Sequence, residues 1–370
     1  MKVLLIGPYP PPHGGISVHV AGIHQQLTAS GVPCRVLDTG AVRPGLRFFL
    51  SIMRHSFQGW TPHLHTNGHN VRSWILAMGC GLAAQCGPGS VLTLHSGMLP
   101  GYLEIAPAWR RRLAADACSL FSQVICVNSD IRSSLLSLGL DSRHMEVLPA
   151  YLGSSPQLVD HPPMSRGVAA SKTLRPHWHY TRPTSVPMSG AAAGRSACAT
   201  SCYRPLFSTV LFFRREYGFD LLVDALAKLK QLFPSLGCLV MGSGDQRPAA
   251  ELRVREAGLQ EDVLFLGDVD HDTCLSWISN SDVFLRPTLE DGDSISVREA
   301  ISLGVPVVAS RVGTRPPGAI LFQPGDVEDM IAKVELALST RREERRPETG
   351  CADRLLEIYR QVDGSEVAYA

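Results

Sequence analysis

The sequence lacks most of the markers that assign a chain to a class at a glance. Its ten cysteines stand at 34, 80, 86, 118, 126, 198, 202, 238, 274 and 351, and no pair is spaced Cys-x-x-Cys. No pair of histidines completes a zinc-finger pattern, so neither a structural zinc module nor a small disulfide scaffold is indicated. Charge of one sign is missing too: 35 Lys and Arg stand against 34 Asp and Glu, a net of +1. That balance gives no global electrostatic case for a nucleic-acid partner. The opening apolar run, Val3–Ile6, stops at Gly7 and Pro8. It is shorter than the core of an export signal, and the expectation is a cytoplasmic chain. The best candidate for a membrane span is the uncharged stretch Ser73–Leu103, but Gly79, Gly81, Gly87, Pro88, Gly89, Gly97 and Pro100 interrupt it. It reads instead as a short helix, a turn and a buried strand. No short-period repeat is present.

What is present points to two α/β domains. At roughly 100–200 residues per domain, 370 residues make two, and 45% hydrophobic content is ample for two cores. In the first half, Lys2–Ile6, Pro33–Leu37, Pro62–His65, Ser90–Leu94, Val124–Val127 and Met145–Leu148 read as strands. Gly15–Ser30, Val71–Ala84, Ala108–Phe121 and Ser129–Leu138 carry helical periodicity between them. The second half repeats the pattern. Thr209–Phe213, Gly237–Met241, Val263–Phe265, Val283–Leu285 and Pro306–Ala309 read as strands. Phe219–Leu232, Ala249–Ala257, His271–Asn280, Ser296–Leu303, Asp326–Leu338 and Arg354–Val362 read as helices. Such alternation implies mostly parallel sheets covered on both faces. The domains expected are 1–155, a C-terminal 208–349, and a final helical segment 350–370.

Residues 156–207 fit neither half. The text from His161 to Pro205 is crowded with Ser, Pro, Arg, His and Ala, and no Asp or Glu occurs from His161 through Arg215. No hydrophobic period is sustained. Two readings stand side by side: a basic interdomain linker, or a stretch translated outside its native frame between two compensating shifts in the coding DNA.

The segment Asp291-Gly-Asp-Ser-Ile-Ser-Val-Arg-Glu299 is the most informative. It follows an expected strand and enters an expected helix, a junction that presents unpaired backbone N–H groups and favours an anion. Ser294, Ile295 and Ser296 stand where those groups would point, and Glu299 lies about one turn further on, placed to accept hydrogen bonds from vicinal hydroxyls. The plainer alternative is an acidic first turn that only stabilises its own helix.

This segment, with Gly304-Val-Pro-Val-Val-Ala-Ser310 after it, resembles the donor-binding signature of retaining GT-B glycosyltransferases of family 4. That signature is a carboxylate, seven residues, then Glu, followed by A-x-x-x-G-x-P-V-V-A-S. Asp291 stands in the place of the first Glu, with Glu290 one residue out of register. Glu299, Ala300, Gly304 and Pro306 match the rest. Pro8–Gly15 resembles the Gly-Gly loop after the family's first strand, Val124–Gly139 its later strand and helix, and Val240–Gly244 the strand ending in G-x-G. Val263–Gly267 resembles its V-x-F-L-G strand, and Arg354–Val362 the last helix, which crosses back to the first domain. The resemblance covers nearly the whole chain except about 155–207.

The resemblance implies a GT-B fold, two Rossmann-like doubly wound domains facing a cleft. It implies a hexosyltransferase-type reaction, transfer from a UDP- or GDP-linked sugar to a glycan or lipid-linked acceptor with retention. Glu299 would hold the ribose. The backbone at Ser294, Ile295 and Ser296 would hold the diphosphate, with Gly14 and Gly15 facing it and Gly244 at the end of the G-x-G strand. Asp291 would touch the transferred sugar near the reacting carbon, and His95, at a strand end, would face it. His63, His65 and His69 either line the cleft or are ordinary loop residues, and no role is assigned to them. The family works without a metal or other cofactor, so Asp291-Gly-Asp293 is read as part of the phosphate-and-sugar loop, not as a metal site. Arg110, Arg111 and Arg112 would touch anionic lipid if the acceptor is lipid-linked, placing the protein peripherally on the inner face of the plasma membrane; the alternative is a solvated helix face.

One departure bears on activity. The family usually carries an Arg and a Lys, as G-R-x-x-x-x-K-G, to neutralise the donor diphosphate. Here the text is Phe212-Phe-Arg-Arg-Glu-Tyr-Gly218, with Tyr217 at the Lys position and Arg214 or Arg215 near the usual Arg. Loss of one such donor costs about 3–4 kcal/mol of transition-state stabilisation unless another cation substitutes. A catalytically weak nucleotide-binding or scaffold protein is therefore the alternative, and a nucleotide-sugar epimerase on the same fold a third.

Overall fold

The computed structural model describes residues 1–11, 13–150, 205–339 and 350–364. The expected linker lies outside the described residues except for 205–207, and those three belong to the second domain.

The first sheet has six parallel strands: β1 (Val3–Gly7), β2 (Cys34–Asp38), β3 (Thr61–Thr66), β4 (Val91–Leu94), β5 (Gln123–Cys126) and β6 (Met145–Val147). Their order is β2-β1-β3-β4-β5-β6. Six helices cover it: α1 (Gly15–Ala29), α2 (Leu46–Phe57), α3 (Val71–Ala84), α4 (Leu99–Ile105), α5 (Ala108–Ser119) and α6 (Ser129–Leu136). The second sheet holds β7 (Leu206–Val210), β8 (Gly237–Met241), β9 (Val263–Gly267), β10 (Val283–Arg286), β11 (Val307–Ser310) and β12 (Ala319–Phe322) in the order β12-β11-β10-β7-β8-β9. Its helices are α7 (Phe219–Leu232), α8 (Arg247–Glu256), α9 (His271–Asn280), α10 (Ile295–Ser302) and α11 (Val327–Ser339), and α12 (Cys351–Asp363) ends the described chain.

Both sheets are buried on two faces, which is why their strands read as continuous apolar runs. Val3, Leu5, Val91 and Ile125 pack with α1 and α12 on one side of the first sheet, and Leu4, Ile6, Leu64 and Leu92 pack with α2, α3 and α5 on the other. In an open parallel sheet, ligands collect where the strand order reverses, beyond the carboxyl ends of the strands. That point lies between β1 and β3 in the first sheet and between β7 and β10 in the second. The two crevices face each other. This is the GT-B architecture.

α12 packs on the first domain, not the second. Its Leu355, Ile358 and Tyr359 are buried with Val3 and Leu5, and Arg354 donates to both carboxylate oxygens of Glu146 at 2.6 and 2.7 Å.

Several elements differ from the sequence expectation. The first strand of the second sheet is Leu206–Val210, three residues before the expected Thr209–Phe213. Leu211 and Phe213 instead donate backbone N–H to Met241 and Ser243 in the crevice. The expected linker boundary at 207 is corrected accordingly. α2, α4 and β12 were not expected. Among the described residues no helix is long and apolar enough to cross a membrane.

Candidate active site

A cavity of about 630 Å³ occupies the cleft between the domains. Its first-domain wall comes from the loop after β1, the first turn of α1, and the ends of β3 and β4. Its second-domain wall comes from the segments after β7 and β10 and from α10. Gly14, Gly15, His95, Arg214, Asp291, Ser294, Ile295, Ser296 and Glu299 all line it. Arg215 and Gly244 do not. Arg215 follows Arg214 into a short helical turn and lines a separate cavity of about 390 Å³ with Phe219 and Asp220. Gly244 sits under the Phe213 backbone, where a Cβ would stand 2.8 Å from that residue's nitrogen. Gly242, two residues earlier, lines the cleft in its stead.

Two helix N-termini open into this space. Gly14 is the N-cap of α1 and Ser294 that of α10, and neither helix has an acidic residue in its first turn. Their dipoles are therefore not answered by the protein's own carboxylates, which favours a bound anion. Gly15 would carry a Cβ into open space, so the backbone there is accessible to a ligand.

The loop between β10 and α10 is built from charge pairs. Asp291 Oδ2 accepts from Arg286 Nε and Arg315 Nη1, each at 3.0 Å, and from Thr288 Oγ1 at 3.3 Å. Burial pushes the Asp291 carboxyl up, but the two guanidinium groups outweigh it and hold it below the usual carboxylate range. Two cations around one carboxylate leave this corner of the cleft with a local surplus of one positive charge. Arg286 also donates to the Val210 carbonyl at 2.7 Å and lies over the Tyr217 ring, 5.2 Å from its centroid. It lines the cleft beside the position where the family pattern has Lys. Sequence reasoning missed Arg286 and Arg315, because nothing in the spacing of either marks a site.

Asp293 is accounted for by protein partners. It accepts from Arg298 Nε at 2.8 and 3.0 Å and from the Ala150 backbone N–H at 3.0 Å. Burial nevertheless pushes its carboxyl above the ordinary value. With both carboxylates committed to arginines, Asp291-Gly-Asp293 is a poor donor set for a cation.

The same loop docks on the first domain. The Asn128 side chain donates to the Gly292 carbonyl at 3.2 Å. A Cβ on Gly97 would lie 1.9 Å from the Asp291 carbonyl oxygen, and one on Gly292 would lie 2.4 Å from that of His95. Glycine at both positions is what lets the two backbones touch.

Glu299 is buried, and its Oε1 is 2.6 Å from His271 Nε2. Burial pulls the His271 pKa down, but the Glu299 carboxylate overcomes it and raises it above the ordinary histidine value. His271 also lines the cleft and was not foreseen. His95 follows β4 directly, and its Nε2 is 3.2 Å from His65 Nδ1. Burial, reinforced by His19 and His63, holds His95 neutral. His63 and His65 are strand residues of β3, fully covered, while His69 lines the cleft and bonds to Ser96 Oγ at 2.8 Å.

Residues 205–340 match the family model for the glycosyl transferases group 1. The similarity to the group 1 glycosyltransferases thus lies in the second domain. Among curated proteins, the chain is 27% identical over 180 residues to one subunit of the phosphatidylinositol N-acetylglucosaminyltransferase of Arabidopsis thaliana, covering 44% of this chain and 40% of that one. It is 35% identical over 121 residues to the phosphatidyl-myo-inositol mannosyltransferase of Mycobacterium leprae, 31% of each chain. The chain thus spans well under half the length of the curated relatives it matches. Over the whole chain the fold matches solved structures of the same architecture. Sucrose-phosphate synthase from Thermosynechococcus elongatus aligns at a TM-score of 0.70 and 17% identity over 99% of this chain and 100% of that one. Anabaena HepE in complex with UDP-glucose aligns at 0.64 and 15% over the full length of both.

Proposed function

We propose that this chain is a glycosyltransferase that moves a sugar from a UDP- or GDP-linked donor to a glycan or lipid-linked acceptor with retention at the anomeric carbon. The observation that carries the reading is one cavity into which two helix N-termini, two arginines (Arg214 and Arg286) and a ribose-ready glutamate converge. The diphosphate fits against the first backbone N–H groups of α10, with Arg214 and Arg286 at hand and Gly15 leaving room opposite. Glu299, oriented through His271, accepts the ribose hydroxyls. Neutral His95 can donate or accept a single hydrogen bond with a sugar hydroxyl.

In the reaction, the bond between the anomeric carbon and the β-phosphate oxygen breaks, and the acceptor oxygen bonds to that carbon on the same face. The acceptor's proton passes to the departing phosphate oxygen. Asp291 is pinned by two guanidinium groups and held ionised below its usual range, which makes it a weak nucleophile and a weak base. That supports same-face transfer over a covalent intermediate on this carboxylate. Arg286 beside Tyr217 offers the cation that the sequence lacks at position 217, and this favours an active enzyme over a scaffold. No step calls for a metal at the diphosphate.

A lipid-linked acceptor is favoured by the outer surface of the first domain. Residues 39–103 contain four arginines and no acidic residue. On α2, Leu46, Leu50 and Phe57 are exposed in a stripe with Arg47 and Arg54. On the neighbouring helices, Ile75, Leu82 and Trp109 are exposed, the last with Arg110 packed over its ring. Basic and apolar side chains mixed on one helix face suit the anionic interface of a bilayer, consistent with peripheral placement at the inner face of the plasma membrane.

The test is thermal unfolding with UDP, GDP, ADP and CMP in turn. A nucleotide at about 100 times its dissociation constant adds roughly 2.7 kcal/mol. A selective rise with one diphosphate, reduced in Glu299→Gln, is expected. A cooperatively melting protein that none of the four stabilises overturns the reading. Proton NMR of the first-formed product reports its anomeric configuration, and inversion would defeat the stereochemical assignment.

A further inference from the structure

Three histidines, His19, His63 and His65, lie buried behind the cleft, and two of them form a triangle with the half-buried, cleft-lining His95. His19 comes from the inner face of α1, His65 from β3 and His95 from the residue after β4. Their ring centroids are 5.3 Å apart for His19 and His65, 5.1 Å for His19 and His95, and 5.4 Å for His65 and His95. One nitrogen from each falls within 4.8 Å of the other two. With zinc–nitrogen bonds of about 2.0–2.1 Å, a ring centroid sits about 3.2 Å from the metal; two tetrahedrally placed imidazoles then have centroids about 5.2 Å apart and ligand nitrogens about 3.4 Å apart. The three rings already stand at that spacing, and His65 Nδ1 and His95 Nε2 are already 3.2 Å apart. Only ring rotation is needed to bring the remaining nitrogen in.

Two further observations fit the same centre. A metal-bound imidazole usually donates its other N–H to a carbonyl or carboxylate. His19 Nδ1 is hydrogen-bonded to the Ala150 carbonyl, which leaves Nε2 with its lone pair. On His65, Nδ1 is the nitrogen turned to His95 and placed to ligate, while Nε2 is buried without a hydrogen-bond partner. Burial keeps all three rings neutral, the form that binds metal.

We propose that His19, His65 and His95 bind one divalent transition-metal ion of the zinc class, with its fourth position turned to the cleft through His95. Such an ion would take the His95 nitrogen lone pair and so withdraw that ring from a sugar hydroxyl. The site is separate from the diphosphate corner, and only this effect on His95 rests on the transfer reading. It concerns metal binding alone and stands whether or not the transfer reading does.

The test uses the full chain without an affinity tag, stripped with a chelator and titrated with Co2+, then Zn2+. One equivalent of Co2+ should give the visible band of a four-coordinate centre, and Zn2+ should displace it. X-ray absorption of the zinc-loaded wild type should show three imidazole ligands. His19→Asn and His65→Asn should each weaken binding at least tenfold, while His144→Asn, on the surface, should not. Absence of stoichiometric uptake by the folded wild type, an absorption spectrum without three imidazoles, or undiminished affinity in both folded variants would each overturn the proposal. If the variants do not fold, the wild-type absorption spectrum decides alone.

Discussion

Replacing Arg286 by Met tests whether this residue supplies the charge that position 217 lacks. The arginine is nearly covered and shares Asp291 with Arg315. Orphaning a buried carboxylate outright costs about 3–5 kcal/mol. Here Arg315 stays, still bonded to Asp291, Ser310 and Thr288. The loss in stability should therefore be smaller, about 2 kcal/mol, including the Val210 carbonyl left without its donor. Turnover should fall further. If Arg286 stabilises the departing diphosphate, its removal costs about 2.7–4 kcal/mol in the transition state, a factor of about 10² to 10³ in kcat. The ground-state complex should suffer less, so KM should move by a smaller factor. Urea unfolding measures the first quantity, and release of nucleoside diphosphate the second. A second change makes the reasoning sharper. Tyr217→Lys in the Arg286→Met background puts a cation back within about one side chain of the lost one, and turnover should recover at least tenfold. A folded Arg286→Met protein within threefold of wild-type kcat would refute the assignment. So would a double variant no better than the single one, provided it melts cooperatively.

Acid should unfold the first domain early. His19 is held neutral down to about 4, and His63, His65 and His95 are held well below 6.5. Below pH 6.5 the unfolded chain binds protons that these buried rings refuse, so stability falls as pH falls. The limiting slope for four rings is about 5 kcal/mol per pH unit. His271, with its pKa raised, works the other way: its contribution is full below 6.5 and fades as pH rises through its folded value. Unfolding free energies between pH 5 and 8 that change by less than one proton's worth would contradict the neutral cluster. Gly97→Ala should separate the domains, because its Cβ cannot coexist with the Asp291 carbonyl at 1.9 Å; nucleotide-induced stabilisation should be largely lost while the nucleotide-free melting temperature changes little. Arg47→Ser with Arg54→Ser should weaken sedimentation with phosphatidylserine vesicles about 30-fold, at about 1 kcal/mol per basic residue near the surface, and unchanged binding would remove α2 from the membrane reading.

Much of the fold was legible because its strands are buried on both faces. Runs such as Val3–Ile6 and Gly237–Met241 have no polar positions to confuse the period. Legibility fails where position depends on the other half of the chain. Thr209–Phe213 is as apolar as a strand, yet the regular strand is Leu206–Val210, and Leu211 and Phe213 lie beyond its end, where they still donate to the Met241 and Ser243 carbonyls. β12 is a mostly half-covered edge strand with little pattern of its own. In the site, the residues found by spacing are those carried on one local turn, Ser294 to Glu299. Those missed are long-range: Arg315 reaches Asp291 from 24 positions away, and His271 reaches Glu299 from 28. His19 and His95 of the histidine triangle are 76 positions apart, and no ligand-spacing motif covers that distance.

The loop from Asp291 to Ser294 carries two demands that pull in opposite directions. It must offer unpaired N–H groups to an anion, which requires that no carboxylate of its own fold back over the helix start. It must also bring two aspartates to the domain interface. The chain meets both by giving each carboxylate away. Asp291 goes to Arg286 and Arg315, and Asp293 to Arg298 and the Ala150 N–H. The Asp293 bond to Ala150 joins the two domains through a carboxylate that burial already disfavours as a charge. Protonation of Asp293 leaves that N–H a neutral acceptor in place of a charged one and weakens the contact. The interface bond is therefore one the protein holds at low margin, which suits a cleft that, under the proposed function, would open to release a nucleoside diphosphate. Asp293→Asn, which keeps one acceptor oxygen but no charge, should lower stability through its buried pair with Arg298 and, in the fraction that melts cooperatively, raise the rate of nucleotide dissociation in stopped-flow. A dissociation rate equal to wild type would mean that the domains are held by the Gly97–Asp291 and Asn128–Gly292 contacts alone.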